Sequence, residues 1–132
     1  MPNYCNSVVT LTGEGLGTFR KSLNGEKFSF QQLVPRSEED EKNWYWWSVE
    51  NWGSKWDVIE YILQDNGDSM VIDMETAWSP PLPWARRVSQ LIPDLKIVVE
   101  YREPGVRFSG TYTALNGVDL DTPKEFVDSD ED

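Results

Sequence analysis

Short apolar runs separated by turn sequences recur along this chain, and their spacing predicts its secondary structure. Residues 4–12, YCNSVVTLT, concentrate β-branched side chains, which is typical of a strand. In residues 14–23, the apolar positions Leu16, Phe19 and Leu23 are three or four residues apart, as on one face of an amphipathic helix. The first two predicted elements are therefore a strand and a helix.

The pattern in the second half of the chain predicts a hairpin, a helix and two more strands. Asp65-Asn66-Gly67-Asp68 lies between two β-rich runs, and Asn-Gly in that position is a strong hairpin signal. Residues 83–92 begin with Pro83, which suits the first position of a helix, and they carry an apolar stripe. The predicted strands of this half are residues 58–63, 70–78, 96–101 and 107–115.

The order of these elements defines the expected fold class. Strand, helix, strand, strand, helix, strand is the split βαβ, or ferredoxin-like, arrangement (βαββαβ) of an α+β protein. We expect an antiparallel sheet with both helices on one face, an extra C-terminal strand, and an insertion over residues 36–57. Residues 1–121 are expected to form a single domain. Residues 122–132 are rich in acids, and we expect them to be a solvated, disordered tail.

The charge of the chain restricts its partners. Twelve Lys and Arg against 23 Asp and Glu give a net charge of −11 and a pI near 4.3. Such a surface repels nucleic acids and anionic membranes, so we expect direct binding to neither. It attracts basic grooves on other proteins, including grooves that hold nucleic acid. The alternative is that the acidity serves solubility alone.

The sequence favours a cytoplasmic protein without a cofactor or a catalytic centre. The start, MPNYCNSVVT, lacks the basic and apolar regions of a secretory signal, and no apolar run reaches the length of a membrane span. The single cysteine, Cys5, fits a reducing compartment. The absence of histidine removes the commonest general base and most zinc sites, so we expect no metal and no enzyme activity. Two carboxylate pairs could line up, Asp57 with Glu60 and Asp73 with Glu75, but a catalytic or metal site needs a further ligand or a raised pKa. For Asp73 and Glu75, two residues apart on a strand, a pair that faces solvent is the plain explanation.

Four motifs in matching order resemble one known family. They are MPNYCN at the start, ENWGSKWD at 50–57, TAWSPPLPW at 76–84 and EPGVRFSGTY at 103–112. They are similar to segments of the Api92-like family, and the likeness extends over about residues 1–117. The resemblance implies a ferredoxin-like domain carried by bacteriophages, plasmids or integrated elements, and hence a place in the cytoplasm of a host bacterium. It implies no reaction and no catalytic residues, and the chain lacks the cysteines of an iron–sulfur cluster.

Seven tryptophans are unusual in a chain of 132 residues, and the sequence divides them into two groups. Large aromatic side chains beside turns commonly close the open end of a small core, so we expect four to be buried: Trp52, Trp56, Trp78 and Trp84. Trp44, Trp46 and Trp47 are nearly adjacent and cannot all point inward from one short element. At least one of these three is expected at the surface, where exposed tryptophan is typical of an interface.

The segment before these tryptophans supplies charge for a binding site. Ser37-Glu38-Glu39-Asp40 fits a capping box and predicts a short helix or turn over residues 38–47. We expect the acids to attract a basic partner and the tryptophans to anchor it. The predicted partner-binding residues are Glu38, Glu39, Asp40, Glu41, Trp44, Trp46 and Trp47.

The leading hypothesis is a non-enzymatic protein that binds and inhibits a host protein with a basic surface. Antiviral defence machinery that handles nucleic acid, such as a CRISPR effector or a restriction enzyme, fits an acidic inhibitor best. Carboxylates spaced along a sheet face could also occupy phosphate positions. The alternative is a small-ligand or nucleotide-signal binder that stacks bases on exposed aromatics. That alternative needs a local cluster of the arginines: Arg86, Arg87, Arg102 and Arg107. A weak hydrolase is disfavoured because histidine is absent.

Overall fold

Six strands and three α-helices make up the part of the chain that the structure describes. The structure is a computed structural model, and it describes residues 4–23, 25, 27–58, 60–77, 79–103 and 108–125. The elements in chain order are β1 (Tyr4–Thr12), α1 (Leu16–Ser22), α2 (Trp44–Asn51), β2 (Tyr61–Asp65), β3 (Ser69–Ala77), α3 (Leu82–Leu91), β4 (Lys96–Glu103), β5 (Phe108–Leu115) and β6 (Val118–Glu125). Two short 3₁₀ helices, Phe30–Gln32 and Asp40–Asn43, precede α2. None of the described helices has the length and apolar character needed to cross a membrane.

Strand β1 lies inside one antiparallel sheet, whose order is β2-β3-β1-β4-β5-β6. Val9 of β1 pairs with Ile72 of β3 on one side and with Val99 of β4 on the other. The four strands β2-β3-β1-β4, connected through α1 and α3, form the predicted βαββαβ unit. The predicted α+β, ferredoxin-like fold is confirmed.

The end of the sheet differs from the prediction. The sequence predicts one added strand and a disordered tail from residue 122, but the structure contains a second added strand, β6, so residues 122–125 lie in a strand. β6 pairs with β5 from Val118, which is opposite Leu115. Asn116 and Gly117 form the two-residue turn, with φ of 58° and 76°, the positive values that a type I′ hairpin turn requires. The rest of the predicted tail, 126–132, lies outside the described residues.

Helices α1 and α3 pack on the same face of the sheet, as predicted. Phe19 of α1 meets Trp84 of α3 edge-on, with ring centroids 6.3 Å apart and planes at 80°. Phe28 and Phe30 complete this core from the segment after α1, because their rings lie 5.4 and 5.3 Å from that of Trp84. Alternate strand residues are buried beneath the helices, among them Cys5, Val9 and Leu11 of β1, Met70, Ile72 and Met74 of β3, and Ile97 and Val99 of β4.

The opposite face of the sheet is left uncovered by the described helices. Val8 and Thr10 of β1 are half-buried on that face, while Asp73, Glu75 and Glu100 are exposed. Asp73 and Glu100 both pair with Val8, so they flank β1 in one row across the sheet. Glu75 follows Asp73 at a spacing of about 7 Å, two residues along the strand. Carboxylates therefore do lie along a sheet face, and it is the uncovered one.

An ion pair ties α1 to the β2–β3 hairpin. Arg20 donates through Nε and Nη2 to the two carboxylate oxygens of Asp65, at 2.6 and 2.8 Å, and through Nη2 to the carbonyl oxygen of Gly67 at 2.8 Å. The hydrogen bonds from Arg20, followed by one from the Gly67 N–H, lower the pKa of Asp65 from 3.8 to about 2. The carboxylate thus favours the folded state in its ionised form.

Replacing Arg20 with glutamine should remove a pH-dependent part of the stability. A depressed pKa stabilises the fold above the unfolded value of about 3.9, and this contribution is lost as the pH falls through about 2. The melting temperatures of wild type and Arg20→Gln should therefore differ most above pH ~4 and converge near pH ~2. Thermal melts across this range test it, with exposed Arg87→Gln as the control. A constant difference at every pH would contradict the assignment.

Candidate docking surface

The middle of the ENWGSKWD motif, Trp52-Gly53-Ser54, belongs to the core. Trp52 is 2% exposed, and its indole N–H donates to the carbonyl oxygen of Val34 at 2.9 Å. The Ser54 hydroxyl accepts a hydrogen bond from the backbone N–H of Ala77 at 3.1 Å. Gly53, between them, accepts a hydrogen bond from the Ser79 hydroxyl through its carbonyl oxygen. The motif therefore fastens the end of α2 to the segment that follows β3.

The last residue of the motif is also structural. The Asp57 carboxylate accepts hydrogen bonds from the backbone N–H groups of Phe30 at 2.7 Å and Gln31 at 3.2 Å. It thereby accepts from the N–H groups at the start of the first 3₁₀ helix, which have no acceptor within the helix itself. Asp57 is committed to the backbone, so it does not form a site with Glu60.

The three tryptophans predicted to bind a partner differ in exposure. Trp44 and Trp46 are 41% and 64% exposed. Trp47 is half-buried and stands perpendicular to Trp52, with ring centroids 5.2 Å apart. Ser48, one residue further on, is buried. Helix α2 is thus fixed to the core through Trp47 and Ser48, which leaves Trp44 and Trp46 available for contact.

A continuous line of aromatic side chains runs from α2 towards the edge of the sheet. The ring of Tyr45 lies 6.0 Å from that of Trp44 and 5.1 Å from that of Trp46. The ammonium group of Lys55 lies 5.9 Å from the centre of the Tyr45 ring and 5.2 Å from that of Trp56. These five residues are called the aromatic ridge below. Trp56 is half-buried rather than buried, so the prediction that it lies in the core is wrong, because burial within ENWGSKWD ends at Ser54.

Two of the predicted acids are available for a partner, and two are partly engaged. Glu38 and Glu39 are exposed, and their carboxylates make no hydrogen bond or ion pair with the residues that the structure describes. Asp40 is half-buried and accepts a hydrogen bond from the Ser37 hydroxyl at 2.7 Å. Glu41 accepts a charged hydrogen bond from Arg36 at 3.1 Å. Residues 37–41 are called the acidic turn below.

Arg36 joins the acidic turn to helix α2. Its Nη2 donates to Glu41, and its Nη1 donates to the hydroxyl of buried Ser48 at 2.9 Å. The guanidinium group lies 5.3 Å from the centre of the Trp52 ring. The acidic turn and the exposed tryptophans are therefore held together on one rigid support, an arrangement that limits the entropy lost on binding.

The described arginines do not converge on one ligand site. Arg86 of α3 donates to Asp119 of β6 at 2.8 Å, and Tyr112 donates to the same carboxylate at 2.7 Å. The hydrogen bond from Tyr112, with that from Arg86, lowers the pKa of Asp119. Arg87 is on α3 as well, whereas Arg102 is exposed on the uncovered face of the sheet. Arg107 lies outside the described residues.

The groove beside α3 offers no net positive charge to an anionic ligand. It has a volume of about 420 Å³, and Arg86, Tyr112 and Asp119, which bond to one another, form part of its lining. Its other charged lining residues are Arg87, Glu50 and Asp121, so acidic side chains outnumber the arginines there. The aromatic ridge and the acidic turn are the better candidates.

A six-stranded antiparallel sheet with both crossover helices on one face defines the class of the fold, a ferredoxin-like domain. Residues 51–131, more than half of the chain, match the family model described as the ferredoxin-like domain in Api92-like protein. The chain therefore belongs to the Api92-like family. That description specifies a fold and names no activity.

One solved structure shows the same fold at low sequence identity. The crystal structure of api92 from Yersinia pseudotuberculosis matches with a TM-score of 0.60 and 18% identity. The match covers 74% of this chain and 39% of that chain, so this chain spans well under half of that protein. At this identity the likeness shows the fold alone. No curated protein matches the sequence.

Proposed function

We propose that this chain is a non-enzymatic binding protein of a phage or another mobile element, which docks on a basic host protein and inhibits it. The observation that carries the proposal is a surface that combines exposed Trp44 and Trp46 with the carboxylates of Glu38 and Glu39, which have no ion-pair partner among the described residues. The two kinds of side chain act on different steps of binding. The exposed aromatic side chains lower the dissociation rate constant of a complex, and the charged side chains raise the association rate constant.

The exposed tryptophans support a protein partner. Trp46 leaves 64% of its surface in water, which is costly for so large an apolar side chain unless binding buries it. Tryptophan is enriched among the few residues that dominate the energy of protein interfaces. Arg36 and Ser48 hold the helix in place before any partner arrives, so the surface is preorganised.

The charge supports a basic partner. The net charge of −11 repels nucleic acid and attracts the channels that hold it. Host defence proteins that grip DNA or RNA, in the manner of CRISPR effectors and restriction enzymes, expose such channels in the bacterial cytoplasm. The carboxylates of the acidic turn would occupy positions that phosphates otherwise take. The alternative, a nucleotide-signal binder, is less well supported because it needs a cluster of arginines and the described ones lie on different faces.

Two variants should separate the charge from the aromatic contacts. Glu38→Lys/Glu39→Lys should lower the association rate constant about tenfold at low salt and less at high salt, because screening weakens exposed charges. Trp44→Ala/Trp46→Ala should instead raise the dissociation rate constant by about 30-fold, the equivalent of roughly 2 kcal/mol. The measurement is binding kinetics at two salt concentrations, against the host protein that co-purifies with the tagged chain.

A matched control separates local charge from net charge. Glu14→Lys/Asp68→Lys changes the net charge equally at exposed positions, before α1 and in the β2–β3 turn. It should leave the association rate constant near that of wild type. Unchanged kinetics in both test variants would place the contact outside residues 37–50. An equal effect of the control would show that only the overall charge matters.

A further inference from the structure

Two carboxylates face each other directly at the edge of the uncovered sheet face. Tyr61 of β2 pairs with Met74 of β3, and the backbone N–H of Glu75 donates to the carbonyl oxygen of Glu60 at 3.2 Å. The antiparallel register therefore continues one residue beyond β2 and sets Glu60 opposite Glu75. Residues in such a pair share a face, with Cβ atoms about 4.5–5.5 Å apart.

This arrangement is unfavourable without a cation. Like charges directly opposite each other destabilise a sheet. Glu60 and Glu75 are both exposed, and neither carboxylate makes a hydrogen bond or ion pair with another described residue. Asp73 adds a third carboxylate on the same face, although Asn6 donates a hydrogen bond to it at 2.8 Å. A positive group placed between Glu60 and Glu75 would turn repulsion into attraction.

Aromatic side chains wall this position. Tyr4 and Trp56, together with Glu60 and Glu75, line a recess of about 140 Å³. A larger, shallower depression of about 450 Å³ continues from it along the sheet face and shares both glutamates. A cation–π contact already forms at this position within the chain, because the ammonium group of Lys55 lies 5.2 Å from the centre of the Trp56 ring.

We propose that the recess formed by Tyr4, Trp56, Glu60 and Glu75 binds the guanidinium group of an arginine side chain from a partner protein. Carboxylates and aromatic faces together recognise a cation that is planar and has several N–H donors. Arginine meets both needs, because its guanidinium donates to two acceptors in fixed directions and stacks on aromatic rings. The recess adjoins the aromatic ridge through Trp56, but it lies on the sheet rather than on α2 and goes beyond the docking surface of the proposed function.

The chemistry can be tested without any partner. The probe is N-acetyl-arginine amide, titrated into the ¹⁵N-labelled chain while the indole N–H of Trp56 and the amides of Glu60 and Glu75 are followed by NMR. We expect saturable shifts at these positions with a dissociation constant on the order of millimolar. N-acetyl-citrulline amide, which has nearly the same shape and no charge, should produce at least tenfold weaker binding.

Paired variants assign the site. Glu60→Gln/Glu75→Gln should weaken binding of the arginine probe at least tenfold, and its melting temperature without ligand should rise because the repulsion is gone. Glu38→Gln/Glu39→Gln removes the same number of charges from the acidic turn and should bind the probe as wild type does. Equal binding of the citrulline probe, or unchanged affinity in Glu60→Gln/Glu75→Gln, would overturn the proposal. Neither result bears on the kinetics at the acidic turn, so the two proposals fail independently.

Discussion

Replacing Trp52 with alanine should lower the free energy of unfolding by about 3–5 kcal/mol, the range for large aromatic residues in cores. The side chain is 2% exposed and bonds to Val34 through its indole N–H. It also packs on Trp47 and Phe30, with ring centroids at 5.2 and 5.9 Å. A truncation leaves a cavity among these rings and a carbonyl oxygen without its donor. Few domains of this size have much more stability than that to lose.

Chemical denaturation of two tryptophan variants checks this expectation. Trp46→Ala is the matched control, because it removes the same atoms from a side chain that is 64% exposed, and it should change stability by less than about 0.5 kcal/mol. If Trp52→Ala unfolds at the same denaturant concentration as wild type, Trp52 does not belong to the core. The sequence predicts the same loss for Trp78→Ala, but Trp78 lies outside the described residues.

Gly53→Ala should cost about 2–5 kcal/mol although it adds a single methyl group. Gly53 has a φ of +83°, where a side chain costs about 1–2 kcal/mol. An added Cβ would also lie 2.6 Å from the carbonyl oxygen of Pro80 and 2.7 Å from Cδ of Pro83. Such overpacking typically costs about 1–3 kcal/mol more. This close approach joins the ENWGSKWD motif to the proline-rich segment that leads into the first turn of α3.

Gly67→Ala separates the cost of the positive φ from the cost of the steric overlap. Gly67 has a φ of +91°, but a Cβ there would meet nothing within 4 Å, so only the backbone term of about 1–2 kcal/mol remains. Denaturant midpoints of both variants against wild type provide the measurement. If Gly53→Ala costs no more than Gly67→Ala, the two segments do not approach as closely as the structure places them.

The fold follows from local signals wherever these signals are strong. Asn66-Gly67 marks the β2–β3 hairpin, and the spacing of Leu16 and Phe19 marks α1. Asn116-Gly117 is the same dipeptide and forms the β5–β6 turn, but the prediction of a tail rests on the acidic composition of the residues that follow. Residues 118–125 form a strand despite their acidic side chains, because the exposed edge of β5 offers their backbone a full set of hydrogen bonds.

The surface is less predictable, because it depends on contacts between distant residues. Adjacent tryptophans in WYWW indicate that some are exposed, but only the packing of Trp47 on Trp52 decides that Trp44 and Trp46 are the exposed ones. Sequence spacing pairs Glu75 with Asp73, two residues away. The register of β2 against β3 instead places Glu75 opposite Glu60, fifteen residues away. No periodicity in the sequence predicts that pair.

The position of β1 in the sheet has a consequence for folding during synthesis on the ribosome. β1 is the first described strand to be made, yet its two neighbours are β3 and β4, and Val9 pairs with Val99. At about 5–20 residues per second, roughly 3–11 seconds separate the completion of β1 from the appearance of its first partner strand. During that interval the strand that will hold the sheet together has two unpaired edges. We therefore expect nascent chains that stall before β3 to be the form most prone to aggregate.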